Sequence, residues 1–252
     1  MPVKTGLGVA EWKQTFRRVL INGAPLSGKT TSLLTWPAPR HIVVAPGELG
    51  FSSLLPSEET KVYYWEFDPA ATEIQYKRIW AEVQLLIQEI VGGKYGPVTT
   101  LGLDGLHKLY YVIQKAHGFT PQTDGKAYVQ YHEKFTEFVV SVLGSAIPYV
   151  VATCYDGQEP IEPGSSATQI FPDLPGRMAK GVLGMFPVVL HSERSDEANK
   201  QRFVWRLRPQ GKIKAVGLHL PREISEKFPA EMAQDWREVE KIVNTIGEEV
   251  KQ

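Results

Sequence analysis

Short apolar runs alternate along the chain with longer stretches in which apolar residues recur every third or fourth position. The runs read as buried strands and the longer spacing as helices with one core-facing side. Strands are predicted at Arg18 to Asn22 (RVLIN), His41 to Ala45 (HIVVA), Val62 to Phe67 (VYYWEF), Val98 to Leu103 and Tyr149 to Thr153 (YVVAT). Later strands fall at Val188 to His191, Phe203 to Leu207 and near Ala215 to Leu220. Helices are predicted from about Lys29 to Trp36, where Pro37 and Pro39 stop it, and from Thr72 to Val91, closed by Gly92 and Gly93. Others cover Leu106 to Ala116, Lys126 to Leu143 (with Tyr128, Tyr131, Phe135, Phe138, Val139 and Val142) and Ala230 to Ile246. This alternation predicts an α/β fold with a mostly parallel central sheet flanked by helices. Between Asp156 and Gly176 lies a stretch rich in Pro, Gly and Ser that reads as a long loop, a kind that commonly carries function or moves.

The first strand runs into Gly23-Ala24-Pro25-Leu26-Ser27-Gly28-Lys29-Thr30, which fits G-x-x-x-x-G-K-[ST] at every fixed position. An apolar strand enters this loop and a helix leaves it, the setting in which the string has chemical meaning. The two glycines permit a tight turn whose N–H groups face a phosphate. Lys29 would reach the β- and γ-phosphates of ATP, the Thr30 hydroxyl would ligate Mg²⁺, and Thr31 would cap the helix or contact the α-phosphate. Such a site needs a carboxylate at the end of a nearby strand, and Asp104, closing Val98 to Leu103, is the candidate metal residue. Asp104 also precedes a helix, so a cap role is compatible with it. Glu48, in Pro46-Gly47-Glu48-Leu49-Gly50 at the tip of the second strand, is placed either to orient a water or as an ordinary loop glutamate.

Composition narrows the class. With 252 residues, six Trp, ten Tyr and ten Phe, the chain can bury a sizeable core and is not a disordered one. One cysteine, Cys154, excludes a disulfide framework within the chain and reads as a small core residue. No apolar run approaches the ~18 residues of a membrane helix. Residues Met1 to Lys13 lack a signal peptide's apolar core, so a cytosolic location is expected. Lys and Arg total 28 against 28 for Asp and Glu, which argues against a protein that holds nucleic acid through a bulk field. The six histidines show no metal-ligand spacing and read as packing or surface residues.

The order of these features resembles the RecA-type ATPase core. More specifically, it resembles the phage RecA-like nucleotide-binding proteins of the Sak type, which are single-strand annealing recombinases. Residues 18–31, Pro46 to Gly50 and Thr99 to Asp104 carry the likeness, with Tyr128 to Phe138, Val150 to Asp156 and Pro172 to Arg177. It spans roughly 17–221 and implies an N-terminal arm over 1–16 and a C-terminal amphipathic helix over 222–252 that packs on the core or on a neighbour. The resemblance implies a RecA-like P-loop NTPase fold, Mg²⁺-dependent ATP hydrolysis with Glu48 activating the water, and action on single-stranded DNA in phage recombination or repair. It also implies a ring or filament of identical subunits, and a single-strand-binding protein as a further partner. The lysines of Gly211-Lys212-Ile213-Lys214 would act in trans on a neighbour's γ-phosphate; an exposed hairpin turn is the competing expectation.

Two positions depart from the family, and so does the strand before Asp104, which is less apolar than usual with Thr99, Thr100 and Gly102 inside it. Pro46-Gly47-Glu48 keeps only the glutamate of an Asp-x-Glu, and Tyr155 stands where a histidine commonly senses the γ-phosphate. Tyrosine can donate a hydrogen bond but titrates near about pH 10, so it can sense but not shuttle protons. The loop from Asp156 to Arg177 is acidic, whereas Arg202, Arg206, Arg208, Lys212 and Lys214 form a late basic cluster that is either a DNA track or a solvated edge. Two other classes stay open: a nucleotide-dependent assembly protein with little hydrolysis, and a P-loop small-molecule kinase.

Overall fold

Val19 and Ile21 point to one side of the strand Arg18–Gly23 (β1) and Leu20 to the other, and all three are fully buried. A strand with two apolar faces needs a covering layer on each. The computed structural model supplies both; it describes residues 14–66, 68, 70–118, 125–161, 166–197, 200–213, 215–220 and 222–249. β1 lies mid-sheet between Tyr149–Pro160 (β5) and Val188–Glu197 (β7), parallel to both. Beyond β5 the sheet continues, still parallel, through Thr100–Asp104 (β4), Arg40–Val44 (β2) and Thr60–Tyr63 (β3). Beyond β7 it turns antiparallel through Lys200–Arg206 (β8) and Glu231–Ala233 (β10). Thr168–Pro172 (β6) pairs with β5, and Gly217–Leu218 (β9) with β7. The fold is mixed α/β with a mostly parallel central sheet, as the alternation predicts.

One face carries Leu20, Leu101, Leu103 and Ala152 and is covered by four helices: Glu73–Val91 (α2), Leu106–Ala116 (α3), Gly125–Leu143 (α4) and Arg177–Met185 (α5). α2 begins with a capping box, in which the Thr72 side chain and Gln75 satisfy each other's backbone N–H. Tyr131 and Phe135 of α4 are core residues, as their spacing indicates, while the side chain of Tyr128 is outside those described. The other face carries Val19, Ile21, Val44, Val151 and Trp205. It is covered by Leu33, Trp36 and the helix Trp236–Glu249 (α7), which comes after a short helix at Arg222–Ser225 (α6). Among the described residues no helix is long and apolar enough to cross a membrane.

Three expectations change, and one helix is added to them. The helix after the phosphate loop is one α turn, Lys29–Ser32 (α1), continued by a 3-10 turn at Leu33–Thr35, because Pro37 and Pro39 leave no room for more. The stretch from Asp156 is largely strand: Asp156 to Pro160 pair with Thr168 to Pro172, and the Pro, Gly and Ser residues concentrate between these two sides. α5 falls on a stretch for which the sequence predicts no element, since Gly181 and Gly184 mask the spacing of its buried Met178, Ala179 and Val182. The C-terminal helix starts at Trp236 rather than Ala230. Met232 is spent in β10 opposite Trp205, and Asp235 accepts the Arg237 N–H (2.9 Å), the contact of a helix cap. The predicted arm over 1–16 falls mainly outside the described residues.

Candidate functional site

The loop from Gly23 to Thr30 is held in its turn by backbone that only certain residues can supply. A Cβ at Gly23 would stand 2.4 Å from the Ser192 carbonyl oxygen, and Gly28 has φ +89°. Leu26 also has positive φ (62°) and projects into solvent, 83% exposed. From outside, the Ser192 hydroxyl (2.8 Å) and the Gln234 side-chain amide (2.9 Å) both donate to the Ser27 carbonyl. Ser192 and Gln234 belong to the β7 and β10 side of the sheet, more than 160 residues along the chain. This brace is absent from the sequence reading, as no local signal reports a partner so distant.

Lys29 is buried, and its Nζ donates to the carbonyls of Gly23 (2.8 Å) and Ala24 (2.7 Å). It also lies 4.7 Å from the centre of the Tyr155 ring. Burial lowers its pKa, against the attraction of Asp156, Asp104 and Glu48. The Thr30 hydroxyl donates to both oxygens of Asp104 (3.0 and 2.9 Å), and the Thr153 hydroxyl donates to one of them (2.6 Å) while accepting the Gly105 N–H. Burial, above all, raises the Asp104 carboxyl to about 6. Strand alternation explains the meeting: Leu101 and Leu103 face the helices, so Asp104 faces the phosphate loop. The unusual polarity of β4 has local causes. Thr100 donates to the Pro37 carbonyl (2.6 Å), and a Cβ at Gly102 would stand 3.5 Å from the Leu33 side chain.

Glu48 is buried at the tip beyond β2, in a turn that Gly47 makes with φ +84° and that the Glu48 N–H closes on the Ala45 carbonyl (3.0 Å). The Tyr155 hydroxyl donates to its Oε1 at 2.8 Å. Its Oε2 has no hydrogen-bond partner among the described residues and lies 3.8 Å from His107 Nε2. His107 in turn stacks on the Tyr155 ring at 4.2 Å. Burial pulls the His107 pKa down to about 3, so the imidazole is neutral and the contact with Glu48 is not an ion pair. Burial and the Glu48 carboxylate push Tyr155 well above the ordinary phenol range, so it stays a donor. The sequence reading assigns His107 to packing. Its position one helical residue past Leu106 gives no spacing signal for a place beside Glu48.

Glu48, Tyr155, Lys29, Thr30 and Thr31 line a cavity of about 350 Å³ together with Leu49, Ser52, Ser53 and Phe203. Asp104 does not line it but accepts the hydrogen bond of Thr30, which does. Thr30 and Asp104 offer hard oxygen donors in contact with each other, and Lys29 lies beside them. That donor set fits Mg²⁺ and a triphosphate, in line with the chemistry of the loop.

Other candidates are not brought together there. Lys212 is exposed in a turn, its carbonyl accepting from Ile170 (2.9 Å), and it does not line the cavity; Lys214 lies outside the described residues. The late basic cluster is not an open stripe. Arg206 pairs with Glu193 and with Glu231 (2.9 Å), and Arg208 donates to the carbonyls of Glu226 (2.9 Å) and Phe228 (2.6 Å). The Arg206 guanidinium ties β8 to β7 and β10, and that of Arg208, just past β8, holds the turn at Glu226 to Phe228.

The structure is thus a mixed α/β fold in which a loop of the G-x-x-x-x-G-K-[ST] pattern joins β1 to α1 beside a buried acid at the end of β4. No protein-family model matches the chain, and no curated protein matches it in sequence. Among solved structures the chain is similar to a prototypical ATPase from the type III secretion system of pathogenic bacteria, at 13% identity and a TM-score of 0.45. The alignment takes in 86% of this chain and 55% of that one, so the chain spans about half of that structure's length.

Proposed function

We propose that the chain binds ATP with Mg²⁺ at the phosphate loop and hydrolyses it. The observation that carries this is the contact of Thr30 with Asp104: a loop hydroxyl and a buried carboxylate, 74 residues apart, meet beside Lys29. Thr30 and Asp104 would hold the metal, which supplies positive charge against the phosphate oxygens. Lys29 exchanges its two backbone carbonyls for phosphate oxygens, and the backbone from Ala24 to Gly28 cradles the chain of phosphates. Glu48 orients the attacking water and Tyr155 holds Glu48 in place by its hydroxyl.

The finer reading is a RecA-like ATPase of phage type that acts on single-stranded DNA as an assembly of identical subunits. Motif order from the loop through Glu48 and Asp104 to Tyr155 supports it. With Arg206 and Arg208 engaged internally, the DNA contact falls to other surfaces, repeated around the assembly. The hydrogen bond between Tyr155 and Glu48 favours slow turnover and keeps in view a second reading, a nucleotide-dependent assembly protein.

Phosphate release with Mg²⁺ and ATP, with and without single-stranded DNA, tests this. The parent chain is expected to release phosphate, faster with DNA, and Glu48→Gln to bind ATP normally while turnover falls by about a hundredfold or more. Wild-type turnover in Glu48→Gln places the base elsewhere. A change of size with ATP but no release marks the assembly protein, and phosphorylation of a small acceptor marks a kinase.

A further inference from the structure

The cavity over the loop is lined by two unlike kinds of group. One kind is charged or hydrogen-bonding: Glu48 and Tyr155, in contact with each other, with Lys29 and Thr30. The lining also includes an aromatic ring, Phe203, which lies against Gly28. Its position is set by β8, where Phe203 and Trp205 are two residues apart and share a face. Trp205 is fully buried in the core beneath the loop. Phe203 is the next step of the same stripe and emerges from the sheet beside the loop, 38% exposed. Its Cδ1 lies only 2.9 Å from where a Cβ on Gly28 would be, so the glycine lets the ring come up against the loop backbone.

The polarity of the cavity orders a ligand along it. The hydrolysed end of a nucleoside triphosphate belongs near Glu48 and the loop takes the phosphates, so the sugar and base attached to the α-phosphate have the rest of the cavity, where Phe203 stands. An aromatic surface there matches a nucleobase, because every base has a π face that stacks on an aromatic ring.

We propose that Phe203 is the base-stacking residue of this site, positioned by β8 and by close approach to Gly28. This rests on the reading of the loop as a nucleoside-triphosphate site. Stacking depends on the base and not on the phosphates, which gives the test its control. Titration calorimetry is done on the whole chain with Mg²⁺, using ATP and inorganic tripolyphosphate as separate ligands. Phe203→Ala is expected to weaken ATP binding by about tenfold and to leave tripolyphosphate binding unchanged. Phe203→Trp is expected to keep ATP affinity. Phe203→Leu, which fills the space against Gly28 without a π face, is expected to behave as Phe203→Ala.

Equal loss of both ligands in Phe203→Ala, or full ATP affinity in Phe203→Leu, would show that the ring only packs the loop and would overturn the proposal. Unchanged ATP affinity in Phe203→Ala overturns it as well. A parent chain that binds tripolyphosphate as tightly as ATP has no base subsite, so Phe203 loses its role while the phosphate site stands. A parent chain that binds neither ligand defeats the nucleotide reading itself.

Discussion

Asp104 is a carboxylate held where water does not reach, with two hydroxyls as its only hydrogen-bond donors among the described residues. Its pKa rises from 3.8 to about 6 on folding. Between those values the folded state binds more protons than the unfolded one, so its contribution to stability declines as pH rises from about 4 to about 6 and stays unfavourable above. Asp104→Asn removes that penalty and keeps an acceptor for Thr153. The nucleotide-free variant should be more stable than the parent at pH 8 by about 2–3 kcal/mol, with the difference vanishing below about pH 4. Thermal unfolding at the two pH values measures this, and a variant less stable at pH 8 would show that the charged form is compensated. The same substitution should abolish the Mg²⁺ dependence of nucleotide binding. Stability is thus given up at the residue where the proposed metal would be held, a pattern in keeping with a binding site.

At the scale of elements, the β10–α7 segment does more than cover a face. Trp236 stacks on Trp36 at 3.9 Å, its N–H is accepted by Thr35 (3.0 Å), and two residues earlier Gln234 braces the phosphate loop. Trp236→Ala should therefore cost about 3–5 kcal/mol in denaturant unfolding, as expected for a buried aromatic removed from a packed core. A loss below about 1 kcal/mol would mean that the segment is only loosely docked.

This segment also marks the limit of what the sequence discloses. The strands β1, β2 and β4, the loop and its lysine, and the acids at the strand tips were all legible, because strand ends and glycine-rich turns leave local signatures. β10 and the β5–β6 pairing were not, since edge strands are fixed by what lies beside them rather than by their own composition. Trp236 and Val239 carry a true helical pattern, but Met232 and Ala233 extended it falsely by falling at matching intervals in a strand. For the same reason Ser192, Gln234, Phe203 and His107 were invisible as site residues: each reaches the loop or Glu48 through tertiary packing.

For the molecule as a whole, 28 positive and 28 negative charges leave no bulk field with which a single subunit could hold DNA. Pairing within the fold sharpens that arithmetic, for Arg206 and Arg208 are already committed to β7, β10 and the turn at Glu226 to Phe228. Under the proposed function, any DNA contact would need surfaces multiplied by assembly. Everything above the level of the fold rests on the loop binding a nucleoside triphosphate. Equilibrium binding of ATP with Mg²⁺ to the parent chain and to Lys29→Ala, both checked for the same unfolding transition, tests that most directly. The parent should bind, and loss of the buried ammonium group should weaken binding by about a hundredfold. Equal affinity in the two proteins, or no binding by either, would contradict it.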